Sequence, residues 1–241
     1  ALMAIRAVPV PAYTTNTPGD HAHLLLDSGA RVAVASTPAL LARVQAGAAL
    51  TGGIDQVFCM APGHGPHFAD LEADPAPPDD IAAEAALIPP GALACLIYTS
   101  GTSGLPRGVM LPHRAILSNC RGALDLVRPL KLHDEIHLSA LPLSHSFEHT
   151  VSQFFLQSLG TEIVYCRGIE HFGADMLAVR PTITTLVPRI LELIRSRILL
   201  AMTREPAWRR RLFQHALDVG GRRVEGRLTL ADRLADPLLD Q

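Results

Sequence analysis

Short apolar runs of strand length alternate with helix-length amphipathic segments along most of the chain, and few architectures accept that order. Arg6 to Tyr13 reads as a strand. A helix follows over Thr17 to Ser28, where Thr17, Pro18 and Asp20 carry the signals of the N-cap, first and third helical positions. Arg31 to Ala35 then reads as a strand, Pro38 to Ala46 as a helix and Gln56 to Met60 as a strand, spaced as in parallel βαβ units. The predicted class is α/β, with doubly wound, mostly parallel sheet layers flanked by helices.

The pattern lapses over residues 61–90, where seven prolines and six acidic residues occur without a lysine or arginine. Such a stretch predicts an exposed connection between subdomains. Alternation resumes with a strand over Ala92 to Tyr98, a helix over Pro112 to Val127, a strand over Glu135 to Leu141 and a helix over Ser146 to Leu159. Thr161 to Cys166, Glu170 to Arg180 and Ile183 to Val187 continue it. Arg195 to Arg233 holds ten arginines against four acids, with Trp208, Leu212 and Ala216 at helical spacing. Its arginines are interleaved along the segment, so a solvated helix face is expected there in preference to a nucleic-acid or membrane patch. The expected division is residues 1–60 as the first βα units, 61–90 as the connection, and 91–241 as further βα units with a basic helical end.

Composition narrows the function classes. Of 241 residues 48% are hydrophobic, enough for a sizeable core, and 21 basic against 23 acidic side chains leave no global positive field for nucleic acid. The most apolar stretch, Ala82 to Tyr98, is interrupted by Glu84 and Pro89-Pro90 and falls short of the roughly 18 residues of a membrane span. Cys59, Cys95, Cys120 and Cys166 are widely spaced and form no C-x-x-C pair, so neither a disulfide scaffold nor a zinc knuckle is expected. A cytoplasmic protein is expected, with peripheral contact at the inner membrane face left open, as is oligomerisation.

The richest segment chemically is Tyr98-Thr99-Ser100-Gly101-Thr102-Ser103-Gly104-Leu105-Pro106-Arg107-Gly108-Val109-Met110. Its glycines allow close approach of backbone N–H groups to an anion, its hydroxyls add neutral donors, and Arg107 adds a forked cation. That inventory suits a polyphosphate. Read as strand, loop and helix, it would also bring a helix N-terminus close to the anion. It does not fit G-x-x-x-x-G-K-[ST], because no Lys-Ser/Thr pair follows.

This segment resembles the signature loop of the adenylate-forming superfamily. Further stretches resemble its long-chain fatty acyl-CoA synthetase branch: Val8-Pro9-Val10 with Thr15-Asn16-Thr17-Pro18, Asp27-Ser28-Gly29-Ala30-Arg31, Leu141-Pro142-Leu143-Ser144-His145-Ser146-Phe147-Glu148, and Arg180-Pro181-Thr182 with Val187-Pro188-Arg189. The resemblance implies a fatty acid activated by ATP and Mg2+ to an acyl-adenylate, which coenzyme A then converts to the thioester. It implies that Thr99, Ser100, Gly101, Thr102, Ser103, Gly104 and Arg107 hold the β and γ phosphates, with the Thr99 hydroxyl a magnesium ligand. Arg107 stands where the family usually has lysine, and Ser103 where it more often has threonine. His145 would orient the acyl carboxylate, and Val187, Pro188 and Arg189 would line the substrate pocket.

Residues 1–241 contain no Tyr-Gly-x-Thr-Glu or Thr-Gly-Asp segment, and Lys131, the only lysine, matches no family motif. The chain is therefore expected to be an incomplete portion of the large N-terminal AMP-binding domain, without the lysine-bearing C-terminal domain and without turnover alone. A fatty acyl-AMP ligase or another acid:CoA ligase of the same superfamily is the alternative. His145-Ser146-Phe147-Glu148-His149 also satisfies H-x-x-E-H, a remote alternative in which both histidines hold zinc and the glutamate activates water.

Overall fold

The computed structural model describes residues 2–72, 80–100 and 104–228. The chain divides into two compact units, residues 1–185 and 186–241.

In the first unit, α1 (Pro18–Ser28) begins with the expected capping box. Thr17 Oγ1 accepts from the Asp20 amide at 3.3 Å, and Asp20 Oδ2 accepts from the Thr17 amide at 2.8 Å, which satisfies two otherwise orphaned N–H groups. Gly29 ends the helix at φ +66, a left-handed conformation that costs glycine little. Strands β1 (Val32–Ala35) and β2 (Gln56–Cys59) pair in parallel from Val32 opposite Gln56 to Ala35 opposite Cys59. The helix α2 (Pro38–Ala49) connects them, with the Thr37 hydroxyl accepting from the Leu40 amide at 3.3 Å. Ala35, Leu41 and Cys59 form the core of this βαβ unit. Gly47 lets α2 approach α1: a Cβ there would lie 2.7 Å from both His21 Cβ and the Pro18 carbonyl oxygen.

Residues 7–13 form no regular strand, contrary to expectation. The segment makes one backbone bond to the sheet, from the Leu96 amide to the Pro9 carbonyl at 3.1 Å, and Pro9 and Pro11 have no N–H to continue a ladder. The connection over 61–90 carries a short 3-10 turn (Phe68–Glu72) and α3 (Ile81–Ala86).

A second sheet is the antiparallel hairpin β3 (Leu93–Thr99) and β4 (Arg107–Pro112), with α4 (His113–Val127) directly after it. Ala94, Cys95, Ile97 and Ile116 are its core, and Met3, Leu111, Cys120 and Phe154 pack on them. The third sheet is parallel, in the order β6 (Glu162–Tyr165), β5 (Ile136–Ser139), β7 (Ile183–Thr184). Between β5 and β6 runs α5 (Ser146–Thr150), which passes through a π turn (Val151–Phe155) into α6 (Leu156–Ser158). Helix α7 (Phe172–Val179) precedes β7 and is pinned at its start by Asp175, which accepts from Arg167 Nε at 2.8 Å and from the Arg167 amide at 3.0 Å. The class is thus α/β with two parallel sheets, as predicted, plus one antiparallel hairpin that was not.

The second unit contains α8 (Pro188–Met202) and α9 (Ala207–Val224), so the basic segment is two helices separated by a turn ahead of Pro206. No described helix is long and apolar enough to cross a membrane.

Candidate functional site

The Gly/Ser/Thr loop joins two antiparallel strands. Val109, Met110 and Leu111 continue the ladder opposite Ile97, Leu96 and Cys95, so the chain turns back along β3 before it reaches α4. The expected strand-loop-helix context is therefore corrected: a full strand separates the loop from the helix N-terminus at His113. At the mouth of the loop Thr99 stands opposite Arg107, and Thr99, Ser100, Gly104 and Arg107 are all exposed. Gly104 adopts φ +93, open to glycine and strained for other residues. Gly101, Thr102 and Ser103 lie outside the described residues.

What fixes the base of this hairpin is α1. Tyr98 Oη donates to Asp27 Oδ2 at 2.7 Å, and His23 Nε2 donates to the Pro106 carbonyl at 2.7 Å. His23 and Asp27 lie one helical turn apart, so one face of α1 holds both strands. The His23 ring stands edge-on to Tyr98 with centroids 6.1 Å apart. Burial, reinforced by the Asp27 carboxylate, pushes the Tyr98 phenol well above its ordinary pKa, keeping it a neutral donor. Gly108 faces the Tyr98 ring, and a Cβ there would come within 3.0 Å of Cζ. Neither His23 nor Asp27 was expected as a site residue, although Asp27 opens one of the family-like stretches. Nothing local in the chain said what their shared helix face would meet.

His145 follows the carboxyl end of β5 and caps α5. Its Nδ1 accepts from the Phe147 amide at 3.3 Å, so the neutral ring carries its hydrogen on Nε2. The side chain is exposed. A ring held this way offers an N–H donor, which suits orientation of a carboxylate better than removal of a proton.

Glu148 is fully buried and takes no part in an H-x-x-E-H metal site. Its Oε1 accepts from Ser139 Oγ at 2.5 Å and Ser152 Oγ at 2.6 Å, and its Oε2 from Thr185 Oγ1 at 2.6 Å. His137 Nε2 lies 3.5 Å from Oε1 and 2.9 Å from Ser152 Oγ. Burial alone would raise the carboxyl pKa, but the bonds from His137, Ser139, Ser152 and Thr185 outweigh it and hold the group below its ordinary value. His149 turns Nδ1 to the Leu143 carbonyl at 3.1 Å, and burial lowers its pKa. His145 is exposed while Glu148 is spent on hydroxyl donors, and among the described residues no three His, Cys, Asp or Glu side chains gather to hold a metal. The zinc-hydrolase alternative is corrected on that geometry. Sequence reasoning missed His137, Ser139, Ser152 and Thr185, which come from three separate segments.

In the second unit Val187 caps α8, Pro188 occupies its first turn, and Arg189 is 90% exposed with Glu192 at 3.5 Å. In the first unit an apolar cavity of about 350 Å³ lies among Val127, Leu130, Val151, Phe155, Ile183 and Thr185.

The model of the AMP-binding enzyme family matches residues 1–232, and the chain belongs to that family. It is 37% identical over 112 residues to long-chain-fatty-acid–CoA ligase 5 of Mus musculus, a match covering 45% of this chain and 16% of the relative. It is 34% identical over 109 residues to long chain acyl-CoA synthetase 4 of Arabidopsis thaliana, covering 43% and 16%. Among solved structures, a benzoate CoA ligase from Burkholderia xenovorans LB400 superposes with a TM-score of 0.62 at 25% identity, covering 78% of this chain and 36% of that one. ATP-bound MatB from Rhodopseudomonas palustris superposes at 0.57 with 22% identity, covering 79% and 36%. The match thus spans about a sixth of each curated relative's length.

Proposed function

We propose that this chain is the phosphate-gripping and acid-orienting part of an enzyme that activates a long-chain fatty acid with ATP. The carboxylate oxygen attacks the α-phosphorus, pyrophosphate leaves, and the acyl-adenylate so formed passes its acyl group to the thiol of coenzyme A with release of AMP. The observation that carries the reading is the hairpin mouth, where Thr99 stands opposite Arg107 at the two ends of a hydroxyl- and glycine-rich loop. Family membership and the names of the relatives support ATP and an acid as substrates.

In this reading Thr99, Ser100, Gly101, Thr102, Ser103 and Gly104 donate hydrogen bonds to the β and γ phosphates, and the Arg107 guanidinium offsets charge that develops on the leaving pyrophosphate. Mg2+ favours hard oxygen ligands and commonly arrives on substrate phosphates, so one threonine hydroxyl is a suitable donor. When bound, the ion supplies charge neutralisation at the phosphates. Thr99 would hold it, without a carboxylate cluster among the described residues. His145 Nε2–H orients the acid. No step here uses Glu148 as a base.

The test is acid-dependent exchange of labelled pyrophosphate into ATP by the full-length protein that carries these residues. Exchange with a long-chain fatty acid, followed by thioester formation when coenzyme A is added, is the expected result. Adenylate release without a thioester would move the assignment to an acyl-AMP ligase, and no acid-dependent exchange would overturn it.

A further inference from the structure

The buried carboxylate of Glu148 has no part in the chemistry above, yet it is tied to more elements of the first unit than any ordinary helix residue needs. Ser139 reaches it from β5, Ser152 from the π turn and Thr185 from just beyond β7, all within 2.6 Å. A buried carboxylate is stabilising only when its lone pairs are all engaged, and an apolar side chain of similar size would fill the space at less electrostatic cost. What a carboxylate adds is direction.

Ser152 Oγ gives its hydrogen to Glu148 and lies 2.9 Å from His137 Nε2. His137 Nδ1 faces the Ile183 carbonyl at 3.2 Å. The ring thus joins the β7 backbone to the carboxylate through the Ser152 hydroxyl. His137, Ser139, Glu148 and Ser152 are all buried.

The element this network holds is the start of α5, the turn that carries His145. Glu148 is the third residue after His145, and among the described residues the only side-chain bond of His145 itself is local, to the Phe147 amide. Helix α5 runs five residues before the backbone widens into the π turn, and the His149 amide donates to the His145 carbonyl at 2.9 Å, so backbone and carboxylate together hold the capping residue. Ser152 belongs to that turn, so the widened backbone and the carboxylate are joined. We infer that Glu148 is a positioning residue: bonded to β5, the π turn and the end of β7, it fixes the His145 turn against the parallel sheet and thereby sets the direction from which the acid carboxylate is received.

This inference rests on the proposed role of His145, and its test has two arms. In the full-length protein, Glu148→Gln replaces one acceptor oxygen with an amide donor facing hydroxyls. KM for the fatty acid should rise at least about tenfold, while KM for MgATP stays within about twofold. Thr185→Val and Ser139→Ala should shift the same constant in the same direction by less, and Glu148→Asp should restore part of the loss. In the second arm, amide exchange of Ser146 to His149 in this chain should quicken in Glu148→Gln while the β3–β4 amides keep their rates.

An unchanged KM for the acid in folded Glu148→Gln, or activity that falls only with the folded fraction, overturns the inference. If Glu148→Gln does not fold, Thr185→Val is judged by the same two criteria. A wild-type protein without acid-dependent exchange removes the proposed function, and the amide-exchange arm then decides the positional claim alone: unchanged rates at Ser146 to His149 reject it.

Discussion

The phenol of Tyr98 on β3 donates to the Asp27 carboxylate on α1 at 2.7 Å, and this one bond couples the strand that leads into the glycine-rich loop to the first helix. Tyr98→Phe keeps the ring and deletes the donor, leaving a carboxylate short of a partner. It should cost about 1–3 kcal/mol, read as a fall in melting temperature. The pH dependence has a sign. Because burial and Asp27 raise the phenol's pKa, the fold favours its neutral form, a stabilisation present below the ordinary tyrosine value of about 10 and lost as pH climbs above it. Wild type should therefore lose more stability than Tyr98→Phe on going from about pH 9 to 11, and equal losses would show that the phenol is not so held.

Gly47 should not tolerate even a methyl group. In Gly47→Ala the new Cβ would press on the Pro18 carbonyl and His21 Cβ at 2.7 Å, and a backbone oxygen cannot swing aside as a flexible side chain can. Overpacking of about 1–3 kcal/mol should exceed the gain of up to about 1 kcal/mol that alanine brings to a helix interior. Gly122→Ala in α4, with nothing within 4 Å of its Cβ, is the matched control and should be neutral or stabilising in urea denaturation.

Arg167 sets the acid sensitivity of the α7 start. Its side chain and amide hold the Asp175 carboxyl pKa down to about 2. A depressed carboxyl contributes stability above its ordinary range, and that contribution disappears as pH falls from about 4 toward 2. Arg167→Gln should move the Asp175 titration upward toward the usual carboxylate range, as followed by carbon-13 shifts of the side-chain carboxyl. A titration that does not move would reject the pairing.

The hairpin mouth makes the functional prediction. Thr99→Ala and Arg107→Ala should each lower acid-dependent pyrophosphate exchange in the full-length protein by at least about tenfold, about 1.4 kcal/mol of transition-state stabilisation. Arg107→Lys keeps the charge and loses the fork, so it should fall between wild type and Arg107→Ala. Exchange that survives either alanine variant unchanged would take that residue out of the mechanism.

The elements that were legible in the sequence are those whose signals are local. Thr17, Pro18 and Asp20 announced the start of α1, because capping chemistry acts within four residues. Strand β4 escaped notice because Val109, Met110 and Leu111 do not alternate with polar residues, and the glycines beside them read as loop. The opposite error fell on residues 6–13, whose apolar pattern concealed that Pro9 and Pro11 cannot donate to a ladder. For the candidate site, the loop's donors could be read from composition, whereas the clamp by His23 and Asp27 could not. His137 was equally hidden, since it looks like an ordinary polar position of a strand, and Glu148, legible only as the glutamate of H-x-x-E-H, is turned inward by the crossing of β5, the π turn and β7.

Closing the loop with a ladder rung has an evolutionary consequence. The separation of Thr99 and Arg107 is set by strand pairing, so residues inserted, deleted or exchanged between them change the loop's chemistry without disturbing the frame. A lineage could therefore edit the seven codons between them while the helix and sheet behind stay under separate selection for packing.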